Sequence, residues 1–435
     1  MLVLVLIESA SGYAAGSIAE NCCYLAGRSV LSEYQKDVYK RYGLLYLRAD
    51  EPQLEKMAEF YINSNLEVKN GIVKPVLKEL SVDTSSYSGL SYENVLPQIK
   101  VLGAAIAADR LLTEDNISGL ISMLKDGGET VNKDSSSVLS TLKSLSRKPK
   151  TEYDENGEKI PESSESKSRR RQARELKDRY NEAVNPIFGE IEAEKDIKSY
   201  KLSNLPTRIM GIGKSSALTY SGGLLKFNPD AVLQAVYLAE VCSVYVEPME
   251  DTCLEGELEY ILFGNLSDAE NIKSARSALY TLRLGMNLAE IYKNSAKMAE
   301  YNAIAAASFP MIPTPVTVFV LAFCDASVQS KTDLGTLLSG GKVPVIKGTG
   351  FGTYRDYLLL MVSTMDEQTR LLRFFDMVQL NTVHKDEGIF SFRNYCCGFD
   401  LKAEFSKNVY MPLNFSGGQK ADKRYREIEQ SHVYK

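Results

Sequence analysis

The chain opens with Met1-Leu-Val-Leu-Val-Leu-Ile7, a run with no polar side chain that stops at Glu8. Seven residues of helix rise about 10 Å, against roughly 30 Å of hydrocarbon core, so the run does not span a bilayer by itself. From Glu8 to Ser32, small residues (Ala10, Ala14, Ala15, Ala19, Ala26) alternate with Ile18, Leu25, Val30 and Leu31 at spacings near three and four. That periodicity predicts one long helix with an apolar beginning and a more polar end. Its Gly, Ala and Ser content suits close approach of neighbouring helices. No Lys or Arg precedes Arg28, so a secretory signal with a basic n-region fits poorly. The pattern reads as the outer end of a membrane anchor that starts upstream; the competing reading is a buried N-terminal strand or helix of a soluble domain.

Further along, Tyr42-Gly-Leu-Leu-Tyr-Leu47 reads as a strand and Pro52 to Leu66 as a helix. Residues 70 to 125 read as helices broken at Gly71, Pro75, the Ser85/Ser86/Gly89 turn and Pro97, the clearest being Gln98 to Leu112. Lys143 to Ser168 has almost no large apolar residue and reads as disordered. Arg174 to Ala193 and Asp230 to Val246 read as helices. Ser267 to Tyr301 reads as one long amphipathic helix or a pair, opened by a Ser267/Glu270 capping box. Gly256 to Phe263 alternates like a strand. Ala303 to Cys324 carries no charge, but Pro310, Pro313 and Pro315 interrupt it, so a buried helical hairpin is expected there and not a membrane span. Asp366 to Asn381 completes the helices. Ile389 to Cys397 and Leu401 to Leu413 complete the strands, joined at Gly398-Phe-Asp400. The expected class is α+β, a mostly helical body with a small mixed or antiparallel sheet.

With 435 residues, 44% hydrophobic and 25% charged, the composition is that of a globular protein. A net charge of −5 gives no field to draw in a phosphate backbone, so nucleic acid is not an expected partner. Only two histidines, His384 and His432, are present, and no Gly-x-Ser-x-Gly, His-Glu-x-x-His or Cys-x-x-Cys occurs. A His-based triad or zinc site is therefore not expected. Gly211-Ile-Gly213-Lys214-Ser215 suggests a phosphate loop, but its first glycine would fall on Arg208. Gly348, Gly350 and Gly352 lack the third glycine of a dinucleotide site, since residue 353 is threonine, and read as a flexible loop. Glu255, Glu257 and Glu259 would share one strand face, as calcium ligands or simply as the wet side of a half-buried strand. The seven cysteines include vicinal pairs at Cys22-Cys23 and Cys396-Cys397, and Cys242 and Cys253 bracket a loop that a disulfide would close in an oxidising compartment. Lys167 to Arg174 holds five basic residues in eight, read as a solvated helix start or a contact for acidic headgroups. No catalytic, cofactor-binding or metal-binding residue is assigned, no small-molecule substrate is evident, and an enzyme is not expected.

Several segments in order along the chain carry a resemblance. They are Ile7-Glu-Ser-Ala10, Arg28-Ser-Val-Leu-Ser-Glu-Tyr34, Tyr42 to Leu47, Glu255 to Gly264, Gly340-Gly-Lys-Val-Pro344, Tyr354-Arg-Asp-Tyr-Leu358 and Arg370-Leu-Leu-Arg-Phe-Phe-Asp376. Together the chain resembles a family of Firmicutes proteins associated with tight-adherence (Flp-type) pilus genes and similar to TadE/TadG-like pilin-related proteins. The resemblance implies a single-pass membrane protein with most of the chain extracellular, anchored through its N-terminal helix and partnered by other pilus or secretion components. Residues 1–32 are then the remnant of the anchor and N-terminal helix, and 33–142 the first part of an exported α+β body. Residues 143–170 are a disordered linker or insertion, and 171–435 the main part of the body. The expected role is a non-enzymatic component of a pilus-like assembly or secretion apparatus, the alternative a cell-surface binding module for a wall polymer or partner protein.

Overall fold

A computed structural model of the chain describes residues 2–67, 73–109, 137–147, 162–184, 191, 193–213, 228–345, 352–386, 390–408 and 423–434. The first half contains α1 (Leu2–Leu31), α2 (Lys36–Tyr42), β1 (Leu47–Arg48), α3 (Glu51–Glu67), β2 (Val76–Asp83), α4 (Tyr92–Asp109), α5 (137–146) and α6 (Ser164–Val184). There follow α7 (Pro206–Ile209), α8 (Pro229–Val241), α9 (Glu257–Phe263), α10 (Asp268–Lys293), α11 (Ser295–Ser308), α12 (Thr314–Leu338), α13 (Tyr354–Ser363) and α14 (Glu367–Asp386). The chain ends in β3 (Tyr395–Cys396), β4 (Gly398–Asn408) and β5 (Lys423–Val433). The α+β expectation holds: a long N-terminal helix leads into a mostly helical body, and both sheets are antiparallel.

The chain folds as two compact units. The first comprises Met1–Ala105, Lys201–Ile212 and Leu371–Lys435. Its three-stranded sheet has the order β2-β4-β5, so the chain's last strands pair with one from its first hundred residues. Alternation along a strand sends every second side chain to one face. Here Phe399, Leu401, Ala403 and Phe405 of β4 and Ile428 of β5 face inward, onto Ala19, Cys22, Cys23, Ala26 and Val30 of α1 and Leu54, Ala58 and Ile62 of α3. The β1-β3 pair joins Leu47 to Cys396 at the end of this core.

The second unit comprises Ile106–Tyr200 and Gly213–Arg370 and is helical. Its centre is α12, packed against α6, α10 and α11, while α13 packs on α8 and α9. Tyr180 of α6 lies with its ring centroid 4.9 Å from Phe323 of α12. A buried polar knot ties three helices together. Arg283 of α10 donates to Asp333 of α12 at 2.7 and 2.9 Å and to the Tyr357 hydroxyl of α13 at 3.0 Å. Asn287, one turn on, donates to Ser330 and Asp333.

Several expectations are corrected. Gly256 to Phe263 is not a strand: the Glu257–Phe263 segment is the short helix α9, ended by Gly264 in the left-handed region at φ 69°, where glycine carries no Cβ penalty. Val76–Asp83, read within a helical region, is the edge strand β2. Tyr42 to Leu47 reaches strand geometry only at Leu47, because the Gln98 side chain takes the Leu45 N–H at 2.9 Å and its carbonyl at 3.4 Å, in place of a neighbouring strand. α4 runs through Pro97 with Val95, Gln98 and Ile99 buried around it. The strand after Gly398 pairs with β5, which the sequence pattern did not reveal, while Tyr395–Cys396 pairs with β1. The segment read as disordered is helical at both ends, in α5 and from Ser164, and 148–161 lies outside the described residues. Ala303 to Cys324 forms a helical hairpin between α11 and α12 with a turn at Phe309–Pro313; its α12 arm is buried as expected, whereas of α11 only Tyr301 and Ala305 are.

Small side chains set how close α1 lies to the sheet. Ala26→Leu therefore lowers stability by about 1–3 kcal/mol through overpacking, whereas Ala10→Leu, on the exposed side of the same helix, stays within about 0.5 kcal/mol. Denaturant midpoints of the two variants check this.

Candidate functional site

In the first unit, exposed apolar surface and buried charge meet along α1. Its inward face, from Glu8 and Ser11 through Ala15, Gly16, Ala19, Cys22, Cys23, Ala26 and Gly27 to Val30, is buried. Its outward side begins with Val3, Leu6 and Ile7, exposed by 65, 60 and 55%, and continues with Tyr13 at 79%. Spacings of three, four and seven (Val3–Leu6, Val3–Ile7, Leu6–Tyr13) keep these residues on one side, an apolar surface left exposed among the described residues.

Because the inward face is small, long side chains of the sheet lie directly across the helix and make a polar clasp. Cross-strand pairing places Phe405 beside Arg426, Leu401 beside Gln430 and Phe399 beside His432 on that face. Lys407, at the far end of the same row, donates to the Glu8 carbonyl at 3.3 Å and to Ser11 Oγ, and pairs with the Glu8 carboxylate at 3.0 Å. Both side chains of this pair are under a tenth exposed, at 7 and 5%. Arg426 pairs with Glu20 across Gly16, where a Cβ would collide with the guanidinium. Gln430 donates to the Glu20 carbonyl at 3.2 Å, and the Tyr434 hydroxyl to the Leu31 carbonyl at 2.5 Å. Between helix and sheet remains a cavity of about 200 Å³, bordered by Gly12, Ala15, Gly16, Ala19, Pro75, Phe405, Lys407 and Arg426.

Sequence reasoning missed this clasp. Its one visible sign is a charge, Glu8, set at the end of an apolar run; the partners lie about four hundred residues away. Removing one member of a buried pair strands the other charge. Lys407→Met therefore costs about 3–5 kcal/mol, and the double variant Glu8→Gln/Lys407→Met regains most of it, in a double-mutant cycle read by urea unfolding.

The second unit holds a cluster of buried carboxylates. Glu257 accepts from the Ser243 N–H at 2.8 Å, and Glu259 from the Tyr245 N–H at 3.0 Å and the Tyr354 hydroxyl at 2.9 Å. Asp268 accepts from the amides of Glu255 at 2.6 Å and Gly256 at 3.1 Å. These acids stand in for missing backbone partners of the 243–256 loop. Burial pushes the Glu259 carboxyl up to about 7 and Asp268 up to about 6, and the second Glu259 oxygen meets no partner among the described residues. Burial also raises the Tyr354 hydroxyl well above its usual range.

A carboxyl raised on folding binds its proton more tightly in the folded state, so stability falls as pH rises from about 4.5 to about 7 and stays reduced above. Glu259→Gln flattens that dependence and stabilises the protein at pH 8 by on the order of 1–3 kcal/mol, with Asp268 leaving a weaker residual slope below pH 6. Thermal melts of the wild type and Glu259→Gln from pH 4.5 to 8 check this.

The residues singled out in the sequence fall mostly into such supporting roles. Glu255, Glu257 and Glu259 do not share a strand face, and no group of three or more His, Cys, Asp or Glu among the described residues is placed to hold a metal ion. Arg355 donates to the carbonyls of Ala239 and Cys242, Asp356 caps the amides of Gly352 and Thr353, and Arg370 holds Gln234 and the carbonyls of Val362 and Met365. Asp376 accepts from the Thr207 N–H and hydroxyl. Gly352 packs so tightly that a Cβ would lie 2.4 Å from the Val343 carbonyl oxygen, while Gly348 and Gly350 lie outside the described residues. So do Lys214 and Ser215 of the glycine-lysine segment. In the basic run, Arg169, Arg171 and Arg174 are exposed on α6 and Arg170 pairs with Glu162 at 2.7 Å. All seven cysteines are thiols, those at 242 and 253 included. Burial pushes the Cys23 thiol up to about 12 and Cys396 up to about 11, away from nucleophilic behaviour.

Residues 162–351 match the model of a family of unknown function, DUF5702. The match covers α6 through α12, and leaves α1 and the three-stranded sheet outside it. No curated protein and no solved structure matches the chain. Among the described residues no helix is long and apolar enough to cross a membrane.

Proposed function

We propose that the protein is a non-enzymatic component of a pilus-like, tight-adherence assembly or secretion apparatus, with α1 as its attachment element and the rest of the chain displayed at the cell surface. The observation that carries this reading is α1 itself. Its first turns present an uncovered apolar stripe, Val3, Leu6 and Ile7, while the following turns are clasped to the body on the opposite side. A helix held on one side and bare on the other is suited to enter a membrane or to pack with other helices. The adjoining charge, Glu8, is neutralised within the fold by Lys407, so the apolar end carries no unpaired acid into that surrounding. The resemblance of Ile7-Glu-Ser-Ala10 and the later segments to pilin-related Firmicutes proteins points the same way.

In cells expressing the protein from its own locus, the chain is expected in the membrane fraction and open to protease added outside. Leu6→Asp/Ile7→Asp is expected to lower its membrane recovery at least tenfold. A clean deletion strain that forms pili and secretes like its parent overturns the proposal.

A further inference from the structure

We propose that His432 is an acid-sensitive latch: protonation of its imidazole loosens the C-terminal half of α1 from the three-stranded sheet. The ring is buried between two surfaces. On one side it lies against the backbone of α1, where a Cβ on Gly27 would fall 2.2–2.4 Å from three of its ring atoms. On the other it meets the ring of Phe399, its cross-strand partner, at 5.4 Å between centroids and 36° between planes. Its Nε2 is buried and has no hydrogen-bond partner among the described residues. A neutral imidazole tolerates that position as an aromatic spacer. An imidazolium brings a second N–H and a full charge, and at Nε2 it finds no acceptor.

The titratable and charged groups on the surrounding elements do not supply one. α1 contributes Cys23, a buried thiol, and Arg28, an exposed cation that donates to the Tyr24 hydroxyl at 2.9 Å. β4 contributes Asp400, whose carboxylate accepts from the Tyr87 hydroxyl at 2.9 Å and which alternation directs to the other face of the sheet from Phe399. On β5, alternation turns Glu427 and Glu429 to that other face too, and Gln430 is neutral. Tyr434, just beyond β5, donates to the Leu31 carbonyl. Asp400 favours the charged ring through space, but desolvation outweighs it and holds the imidazole below its usual range.

A folded-state pKa below the free value places the docked helix at full strength above about pH 6.5 and withdraws that support as pH falls. For each pH unit by which docking lowers the pKa, acid raises the undocked population up to tenfold. This inference goes beyond the assembly role and does not depend on it.

Hydrogen exchange on the full chain at pH 7.5 and 5.0, corrected for intrinsic rates, tests the latch. Amides between residues 23 and 31 are expected to lose protection at least tenfold more than those of β4, and His432→Phe, which keeps a flat ring without a titrating nitrogen, is expected to abolish the difference. Equal loss in His432→Phe, or no loss in the wild type, overturns the proposal. If His432→Phe does not fold, NMR titration of His384→Gln, which leaves a single histidine, decides: an imidazole titrating at or above pH 6.5 overturns the latch, and one titrating below 6.5 with concerted shifts in α1 supports it.

Discussion

The closeness of α1 to the sheet governs the first unit. Alanine, glycine and cysteine on the inward face bring the helix close to β4 and β5, whose Phe399, Leu401, Ala403, Phe405 and Ile428 pack against it. What fills the remaining space is long and polar: Lys407, Arg426, Gln430 and His432, each extending over the helix to reach a group on it or to lie against its backbone. Buried apolar area alone would hold such a face weakly, because alanine buries little surface. The helix is therefore secured by a few specific polar contacts that depend on one another's geometry. This differs from α3, whose Leu54, Ala58 and Ile62 dock by volume.

The second unit uses charge in the opposite sense. There the acids of α9 and the start of α10 turn inward to satisfy loop amides, and the guanidinium groups of Arg283, Arg355 and Arg370 bridge helices and close off carbonyls. Most of the acidic and guanidinium groups that looked like chemistry in the sequence, Glu257, Glu259, Arg355, Asp356, Arg370 and Asp376 among them, have bonding partners inside their own unit. Charged groups that organise a scaffold cost desolvation but fix one arrangement of loops, which suits a body that must present a constant shape.

Helices with clear periodicity, α1, α3, α10 and α14, were legible because local spacing suffices to reveal them. α9 was not, since Glu-x-Glu-x-Glu imitates a half-wet strand and only the loop it caps explains why those acids are buried. β5 was hidden for the reverse reason: Lys423-Arg-Tyr-Arg-Glu-Ile-Glu-Gln-Ser-His-Val433 looks polar on both faces, and the inward placement of Arg426, Gln430 and His432 makes sense only once they are seen to reach α1. The candidate site was half visible. The apolar start and Glu8 stood out, while Lys407 and His432 belong to it through folding alone, and no spacing rule connects residues so far apart.

That separation has a consequence for the order of synthesis. Lys407 follows Glu8 by 399 residues, and at a translation rate of 5–20 residues per second the helix waits about 20–80 s for the strand that neutralises it. Throughout that interval α3, only some twenty residues further on, is at hand to pack on the small-residue side, but the Glu8 carboxylate has no lysine beside it. Whatever receives the emerging chain, whether a targeting factor or a chaperone, meets an apolar first two turns ending in an unneutralised carboxylate, and the clasped helix of the finished fold exists only once β4 and β5 have been made.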